Sequence, residues 1–312
     1  MCFGVRDAIE LAHGRAATGP VTVLGDLVHN ESVLAELRGK GVLIRQDASD
    51  IPTQEVLITA HGASDRRIES LRQLGLTVTE ATCPLVHRAH QALKKLVAAG
   101  FHPLVIGQAG HVEVRGLTED YPGCHVVLTE SEVDQLPELP RFGVVSQTTQ
   151  PVARVRELII HLRHRFPGSE VRWIDTVCQP TKDRQTAAEN LASRCDVVLV
   201  IGGIHSNNTR RLVDTCQSRC ARVHWLQTSN DLDPAWIRET DTVGITAGTS
   251  TPDSVIEAIE AALKNLPSRR VNPQTEVACP PFDYAATITH LVAQLCRSPD
   301  RNPSPGQRAK PR

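Results

Sequence analysis

Short apolar segments alternate with helical segments along most of this chain, and this alternation limits the folds that it can adopt. Segments such as DVVLVIGG and FGVVSQTTQ are rich in β-branched residues and end in small polar turns. Helical segments follow them, with capping residues such as Ser64 and Thr251 at their starts. A repeated strand, loop and helix order predicts parallel sheets covered by helices, which is the α/β class.

Three cysteines lie at related places in this pattern. Cys83 and Cys178 each follow a short strand and a Thr-containing turn, and each precedes a helical segment with a proline near its start. Cys2 precedes a similar helical segment without the strand. Their similar spacing predicts three α/β domains, each with one such thiol. We expect domains over 1–83, 84–176 and 177–268, and a C-terminal extension over 269–312.

The remaining six of the nine cysteines occur in contexts that are typical of buried structural thiols. They are Cys124, Cys195, Cys216, Cys220, Cys279 and Cys296. The first residues lack the charged, apolar and small-residue blocks of a secretory signal. We therefore expect a cytoplasmic protein whose cysteines are reduced thiols or metal ligands rather than disulfides.

The loops that follow the strands form a second pattern. They carry imidazole, hydroxyl and amide groups: His29, His61, His111, Ser206, Asn208 and Ser250. In parallel sheets such loops converge at the carboxyl ends of the strands, where ligands bind. Donors of this kind beside helix N-termini suit a phosphate or diphosphate. Each residue alone is better explained as a helix cap or a structural histidine, and only their shared position favours a binding site.

The amino-acid composition and the motifs of the chain argue against several classes of protein. The chain has 34 Lys and Arg against 35 Asp and Glu, and aromatic residues make up 3%, so neither its charge nor base stacking favours nucleic acid. No apolar run approaches the roughly 18 residues that a membrane span requires. Neither G-x-G-x-x-G nor a Walker A motif occurs, so NAD- and ATP-dependent activities lack support.

The loop motifs resemble those of the LytB/IspH family of 4-hydroxy-3-methylbut-2-enyl diphosphate reductases. They follow the family's order: CFGVRDAI, LVHN, TAHG, ATCPLV, GHVEV, SQTT, TVCQPTKDRQ, IHSNNTRRL and TAGTSTPD. The resemblance implies a pseudo-threefold trefoil of three α/β domains with small, mainly parallel sheets around a central iron-sulfur cluster.

The resemblance also implies a cofactor and a proton donor. Cys2, Cys83 and Cys178 match the family's three cysteine ligands of one 4Fe-4S cluster, which leaves one iron open to a substrate oxygen. Glu113 matches the family's proton donor, and burial would keep such a carboxyl protonated. Thr148 matches the hydroxyl that orients this acid and the substrate.

The same resemblance implies a set of residues that bind the substrate. They are His29, His61, His111, Thr148, Ser206, Asn207, Asn208 and Ser250. His111 is also expected to take part in proton delivery through the diphosphate.

The implied reaction is a two-electron reductive dehydroxylation. It converts the allylic diphosphate to isopentenyl and dimethylallyl diphosphate plus water, the last step of the methylerythritol phosphate route to isoprenoids. Because the electrons arrive singly, a ferredoxin or flavodoxin is the expected partner.

Several positions depart from the family pattern. His205 and Asn207 stand where Asn and Ser are more usual. Val112 replaces a Pro, and Asp183 stands where an amide is common. A strand and a Pro-Arg-Gly-like turn normally precede the first cysteine, so we expect the true start to lie upstream of Met1. In the extension, YAATITHLVAQLCR predicts a helix and the Pro-rich basic end predicts disorder.

Two alternatives remain at this level. An iron-sulfur dehydratase of the quinolinate-synthase type also uses three cysteines and an open iron, but it requires a dicarboxylate site with Arg or several hydroxyls. A non-catalytic, cluster-bearing paralogue or redox sensor predicts a cluster whose spectrum does not respond to allylic diphosphates.

Overall fold

The computed structural model describes residues 1–266, and three small sheets organise this part of the chain. Every strand pair in them is parallel, which confirms the expected α/β class with small parallel sheets. The predicted helix and disordered end of the extension, with Cys279 and Cys296, lie outside the described residues. The described residues belong to one compact unit, and its division into three domains stays a prediction.

The first sheet has four strands in the order β2-β1-β3-β4. They are β1 (Val21–Leu24), β2 (Leu43–Arg45), β3 (Glu55–Ile58) and β4 (Thr77–Glu80). In the central pair, Val23 is in register with Leu57. Helices α1 (Phe3–Thr18) and α2 (Glu31–Gly39) pack on one face, and α3 (Asp65–Gln73) packs on the other.

The second sheet repeats this arrangement with the order β6-β5-β7-β8. Its strands are β5 (His102–Ile106), β6 (His125–Val127), β7 (Arg141–Ser146) and β8 (Glu170–Trp173). Leu104 is in register with Val144 in the central pair. One face carries α4 (Pro84–Ala98) and α5 (Val112–Thr118), and the other carries α6 (Glu130–Asp134) and α7 (Val152–Arg165).

The third sheet has three strands in the order β10-β9-β11. They are β9 (Val197–Ile201), β10 (Val223–Leu226) and β11 (Val243–Ala247), and Leu199 is in register with Ile245. Helices α8 (Gln179–Ala192) and α9 (Asn207–Gln217) cover one face, and α10 (Asp253–Lys264) covers the other. Short 3-10 helices occur at Ala48–Asp50, Ser229–Asp231 and Pro234–Trp236.

The central strands are apolar throughout because both of their faces are covered. All five residues of β9, VVLVI, are buried, with alternate side chains packing on α8 and α9 or on α10. The predicted cap Ser64 is confirmed, since its hydroxyl accepts a hydrogen bond from the Arg67 N–H at the start of α3. These rigid sheets carry the polar loops at their carboxyl ends.

Loops and helix starts of different sheets contact one another. Between the first and second sheets, the Asp120 carboxylate accepts hydrogen bonds from two N–H groups at the start of α3. Between the first and third, the Ser250 hydroxyl donates to the His29 carbonyl at 3.2 Å. Between the second and third, the Asn207 amide donates to the Thr149 hydroxyl at 2.9 Å. The loops from all three sheets therefore meet.

Within residues 1–266, no helix combines the length and the apolar character needed to cross a membrane.

Candidate active site

Three histidines meet where the loops of the first and second sheets converge. His29 follows β1, His61 follows β3, and His111 precedes α5 as its N-cap. Their ring centroids lie 4.2 Å apart for His29 and His61, 5.2 Å for His29 and His111, and 5.8 Å for His61 and His111. We call these three residues the histidine cluster.

The histidine cluster is uncharged near neutral pH because it is largely removed from water. Burial lowers the pKa of His29 and lowers that of His61 strongly, and it lowers the pKa of His111 to about 4. The Nδ1 atom of His111 accepts a hydrogen bond from the Glu113 N–H at 3.1 Å, so its Nε2 carries the proton. Both ring nitrogens of His29 and the Nδ1 of His61 are buried without a partner in the described structure. Such unpaired buried groups are suited to a polar ligand.

The start of α9 and the loop before α10 complete this polar surface. Ser206 is the N-cap of α9, and its hydroxyl accepts a hydrogen bond from the Thr209 N–H at 3.2 Å. Asn208 uses its side-chain oxygen to accept from the Thr249 N–H, and its buried Nδ2 donor has no partner among the described residues. The helix N-terminus, this amide and the histidine cluster together offer donors to an anion.

Asn207 precedes Asn208 at the start of α9, but its side-chain amide is oriented differently from that of Asn208. Its amide N–H donates to Thr149, whereas its buried Oδ1 acceptor is unpaired in the described part of the chain. The Asn207 amide therefore links the second and third sheets, and its role in substrate binding stays a prediction.

Glu113 and Thr148 form a buried acid with two hydrogen bonds. The Thr148 N–H donates to Oε1 of Glu113 at 2.6 Å, and the Thr148 hydroxyl donates to Oε2 at 2.9 Å. Both bonds favour the carboxylate, but Glu113 is only 1% exposed. Burial outweighs the hydrogen bonds and raises the pKa of Glu113 to about 7. This carboxyl can hold a proton at neutral pH.

The three predicted thiols lie at helix starts around this acid. Cys2, Cys83 and Cys178 are the N-cap residues of α1, α4 and α8. The Cys178 N–H donates to the Thr148 carbonyl at 3.0 Å. Cys83 and Cys178 are each close enough to Cys2 and Glu113 for charge repulsion to contribute to their raised thiol pKa, after the larger effect of burial. The fold therefore brings together thiols from three distant segments.

This donor set fits a multi-iron cluster. All three cysteines are free and half-buried, and helix N-termini favour thiolates. Within residues 1–266, no three His, Cys, Asp or Glu side chains are arranged to chelate a single metal ion. A cluster binds each thiolate through a different iron, so its ligands need not converge on one ion.

A small inner cavity lies between the histidine cluster, the buried acid Glu113 and the start of α9. We define it by polar lining residues from all three sheets: His29, His61, His111, Glu113, Ser206, Asn207, Asn208 and Ser250. Thr148 contacts Glu113 without lining the cavity itself. Two further polar residues, Thr149 and Thr249, also line it. Both lie within family-like motifs, SQTT and TAGTSTPD, but no local pattern distinguishes them from the other hydroxyl residues there.

The fold and this site define a class: three-sheet α/β proteins that have a polar cavity lined by histidines and a buried acid, with three thiols at nearby helix starts. A family model described as LytB protein matches residues 1–264. A relative from Pelobacter propionicus, named 4-hydroxy-3-methylbut-2-enyl diphosphate reductase, is 36% identical over 83% of this chain and 92% of its own length. The chain therefore belongs to the LytB protein family, whose members bind an iron-sulfur cluster.

Two solved structures are similar to this fold. The E-1-hydroxy-2-methyl-but-2-enyl-4-diphosphate reductase from Plasmodium falciparum has a TM-score of 0.80 and 26% identity, covering 95% of this chain and 96% of that one. A second structure is described as (E)-4-hydroxy-3-methyl-but-2-enyl diphosphate reductase, the terminal enzyme of the non-mevalonate pathway. It has a TM-score of 0.62 and 33% identity, covering 85% of this chain and 95% of that one.

Proposed function

We propose that this protein is an oxidoreductase that removes the hydroxyl group of 4-hydroxy-3-methylbut-2-enyl diphosphate. The relatives that carry this name support the substrate and the place of the reaction at the end of an isoprenoid pathway. The reaction consumes two electrons and two protons. One carbon–oxygen bond breaks and one carbon–hydrogen bond forms, and the products are water and isopentenyl or dimethylallyl diphosphate.

The observation that carries this proposal is the inner cavity itself, which combines anion donors with a buried acid. His29, His61 and Asn208 have buried polar atoms without a partner in the described structure. These donors, with Ser206 and Ser250, would bind the diphosphate. A neutral, preorganised cavity of this kind binds the anion through hydrogen bonds rather than ion pairs.

In this proposal Glu113 supplies the proton that converts the leaving hydroxide into water. Its raised pKa keeps the proton available near pH 7, and the two hydrogen bonds from Thr148 fix the orientation of the carboxyl. His111 is proposed to take part in proton delivery through the diphosphate as a neutral imidazole, whose Nε2–H is not used by the contact with Glu113 and would hold a protonated diphosphate by a hydrogen bond. Asn207, which lines the inner cavity and is held by its contact with Thr149, is also proposed to bind the substrate.

The cofactor in this proposal is one 4Fe-4S cluster held by Cys2, Cys83 and Cys178. When bound, such a cluster supplies electrons one at a time and, at the iron without a cysteine ligand, a Lewis acid for the substrate hydroxyl. The electrons come from a one-electron carrier protein of the ferredoxin or flavodoxin class.

The two alternatives have less support. A dicarboxylate site of the quinolinate-synthase type would have Arg or several hydroxyls without the three histidines, whereas His29, His61 and His111 all line the inner cavity. A non-catalytic paralogue would not need a carboxyl that is buried and held by two hydrogen bonds.

The test uses anaerobically purified protein with and without the allylic diphosphate. We expect the substrate to change the electron paramagnetic resonance spectrum of the cluster, and reduced methyl viologen to support turnover. Glu113→Gln keeps the size of the side chain but cannot donate an acidic proton, so turnover should fall by about 10²–10⁴-fold. The iron content and the spectral response to substrate should be retained. Unchanged turnover in Glu113→Gln would contradict the assigned role.

A further inference from the structure

A second cavity, of about 340 Å³, opens beside the inner cavity and shares His29, His111 and Asn207 with it. We call it the outer cleft. Its remaining lining includes the exposed His205, which lies close enough to His29 to influence the pKa of that residue. A ligand in the outer cleft would therefore contact part of the histidine cluster.

Three arginines line the outer cleft, and each comes from a helix on a different sheet. Arg67 belongs to α3, Arg115 to α5 and Arg210 to α9. Within residues 1–266, none of the three guanidinium groups forms an ion pair with a carboxylate. The neighbouring Arg211, which does not line the outer cleft, is paired with Asp214 at 3.3 Å.

The outer cleft also contains two carboxylates, which are held by neutral groups. Asp26 accepts a hydrogen bond from the Gln46 amide at 3.0 Å, and Glu119 accepts one from the Ser64 hydroxyl at 2.8 Å. Three guanidinium groups therefore face two carboxylates, and the cleft has an excess of positive charge. The guanidinium groups are also available to an incoming anion.

The inner and outer cavities differ in the way that they can act on an anion. The inner cavity has uncharged imidazole, amide and hydroxyl donors, which act only at hydrogen-bond distance. A charged cleft acts over a longer distance and raises the local concentration of an oppositely charged ligand. An anion that passed from the outer cleft to the inner cavity would experience both effects, first long-range attraction and then desolvated binding.

We propose that Arg67, Arg115 and Arg210 form an anion-binding vestibule, through which the diphosphate group of the substrate reaches the histidine cluster. This inference rests on the proposed function for the identity of the anion. The arginines act during association, and the histidine cluster binds the diphosphate afterwards.

The experiment compares two triple variants of the anaerobically purified holoenzyme. The test variant is Arg67→Gln, Arg115→Gln, Arg210→Gln. The matched control is Arg156→Gln, Arg163→Gln, Arg219→Gln, which removes the same charge from three exposed arginines outside the outer cleft. Circular dichroism melting curves establish that both variants are folded.

Stopped-flow measurements follow the association of inorganic pyrophosphate, the probe, over a range of salt concentrations. We expect the association rate at low salt to fall at least about tenfold in the test variant, with a weaker dependence on salt. The kcat/KM for the allylic diphosphate should fall in parallel. The control should behave like the unaltered protein.

If pyrophosphate associated with the two triple variants at equal rates, or if the two rates depended equally on salt, the proposed role of the three arginines would be wrong. Failure of the proposed function looks different. In that case the unaltered holoenzyme would show no turnover of the allylic diphosphate, while association of pyrophosphate would still depend on the three arginines.

Discussion

Glu113 has a pKa near 7 because two opposing effects act on one carboxyl group. Burial favours the neutral acid, whereas the hydroxyl and N–H of Thr148 favour the carboxylate. The folded state therefore binds this proton more tightly than an exposed glutamate does. A proton donor with a pKa near the working pH is efficient, since it is both largely protonated and acidic enough to transfer its proton.

The opposing effects of burial and hydrogen bonding on Glu113 predict how kcat/KM depends on pH. If the protonated form of Glu113 is the active one, as proposed, kcat/KM should decrease as the pH rises through about 7. Thr148→Val removes a hydrogen bond that favours the carboxylate, so the midpoint of this decrease should move to higher pH while turnover becomes slower. The measurement is kcat/KM against pH with a pH-independent electron donor. A midpoint that moves to lower pH in Thr148→Val would show that another group controls the profile.

At the scale of single elements, the strand-to-helix junction is the unit that presents each reactive group. Cys83 and Cys178 begin α4 and α8, with a proline in the first turn of each helix, and neither side chain caps its own helix. The first-turn N–H groups of Leu85 and Val86 nevertheless act on the Cys83 sulfur and oppose the burial that raises its pKa. Thr181 does the same at Cys178, whose thiol is hydrogen-bonded to the Thr181 hydroxyl at 3.1 Å. Such contacts favour the thiolate, which is the form that binds iron.

Replacement of cysteines should separate ligand thiols from structural ones. Cys83→Ser should lose most of the bound iron, because a serine hydroxyl is a poor substitute for a thiolate ligand. Cys195→Ser is the matched control, since Cys195 is also free and half-buried but packs with the core under the third sheet. Iron analysis and the visible absorption of the cluster measure the difference. Equal iron in both variants would contradict the ligand assignment.

Two hydrogen bonds from the edge strand β10 and the turn that follows it hold the loop that leads to α9 in place. The Trp225 indole N–H donates to the Gly202 carbonyl at 2.8 Å, and the Gln227 side-chain oxygen accepts from the Ile204 N–H at 3.1 Å. This loop leads directly into Ser206 and Asn208. A contact outside the cavity thus positions groups inside it.

Trp225→Phe should remove the first of these two hydrogen bonds. Loss of one half-buried hydrogen bond lowers the free energy of unfolding by about 1 kcal/mol. Because the loop is then held less firmly, KM for the allylic diphosphate should rise several-fold, with a smaller change in kcat. Trp236→Phe is the control, because Trp236 stacks on His224 at 4.1 Å and its indole N–H donates no hydrogen bond to this loop within residues 1–266. Steady-state kinetics and thermal melting distinguish the two variants. A larger KM effect in Trp236→Phe would show that Trp225 does not position the loop.

At the scale of the whole described unit, close approaches between sheets set the position of the site. A side chain at Gly203 would lie 2.7 Å from the His29 carbonyl, so the loop after β9 packs directly on the loop after β1. Gly4 in α1, a helix that packs on the first sheet, lies against the Cys83 side chain at the start of α4, which packs on the second. These glycines allow backbone segments to approach one another.

Two glycines of α1 provide a matched test of this packing. Gly4→Ala would place a methyl group on the Cys83 sulfur, so we expect a destabilisation of about 1–3 kcal/mol and reduced iron loading. Gly14→Ala has open space around the new methyl group and should stabilise α1 by up to about 1 kcal/mol. Thermal melting and iron analysis measure both effects. Normal iron loading in Gly4→Ala would show that the contact does not position Cys83.

The sequence by itself determined the local structure and the chemistry of most candidate residues. The apolar run of β9 and the cap Ser64 are local signals, because burial on two faces and helix capping each involve neighbouring residues. The positions of His29, His61 and His111 after strands are local as well. The family resemblance added the role of Glu113, which no local pattern indicated.

Only the tertiary structure decided how these groups act on one another. Burial of Glu113, the tilted and edge-on packing of the three histidine rings and the orientation of the Asn207 amide depend on contacts between distant segments. The outer cleft is a further case. No local pattern in the sequence distinguishes Arg67, Arg115 and Arg210, and they line one cleft only because helices from three sheets meet there. Charge, burial and hydrogen bonding are properties of three-dimensional neighbours, which a linear pattern does not specify.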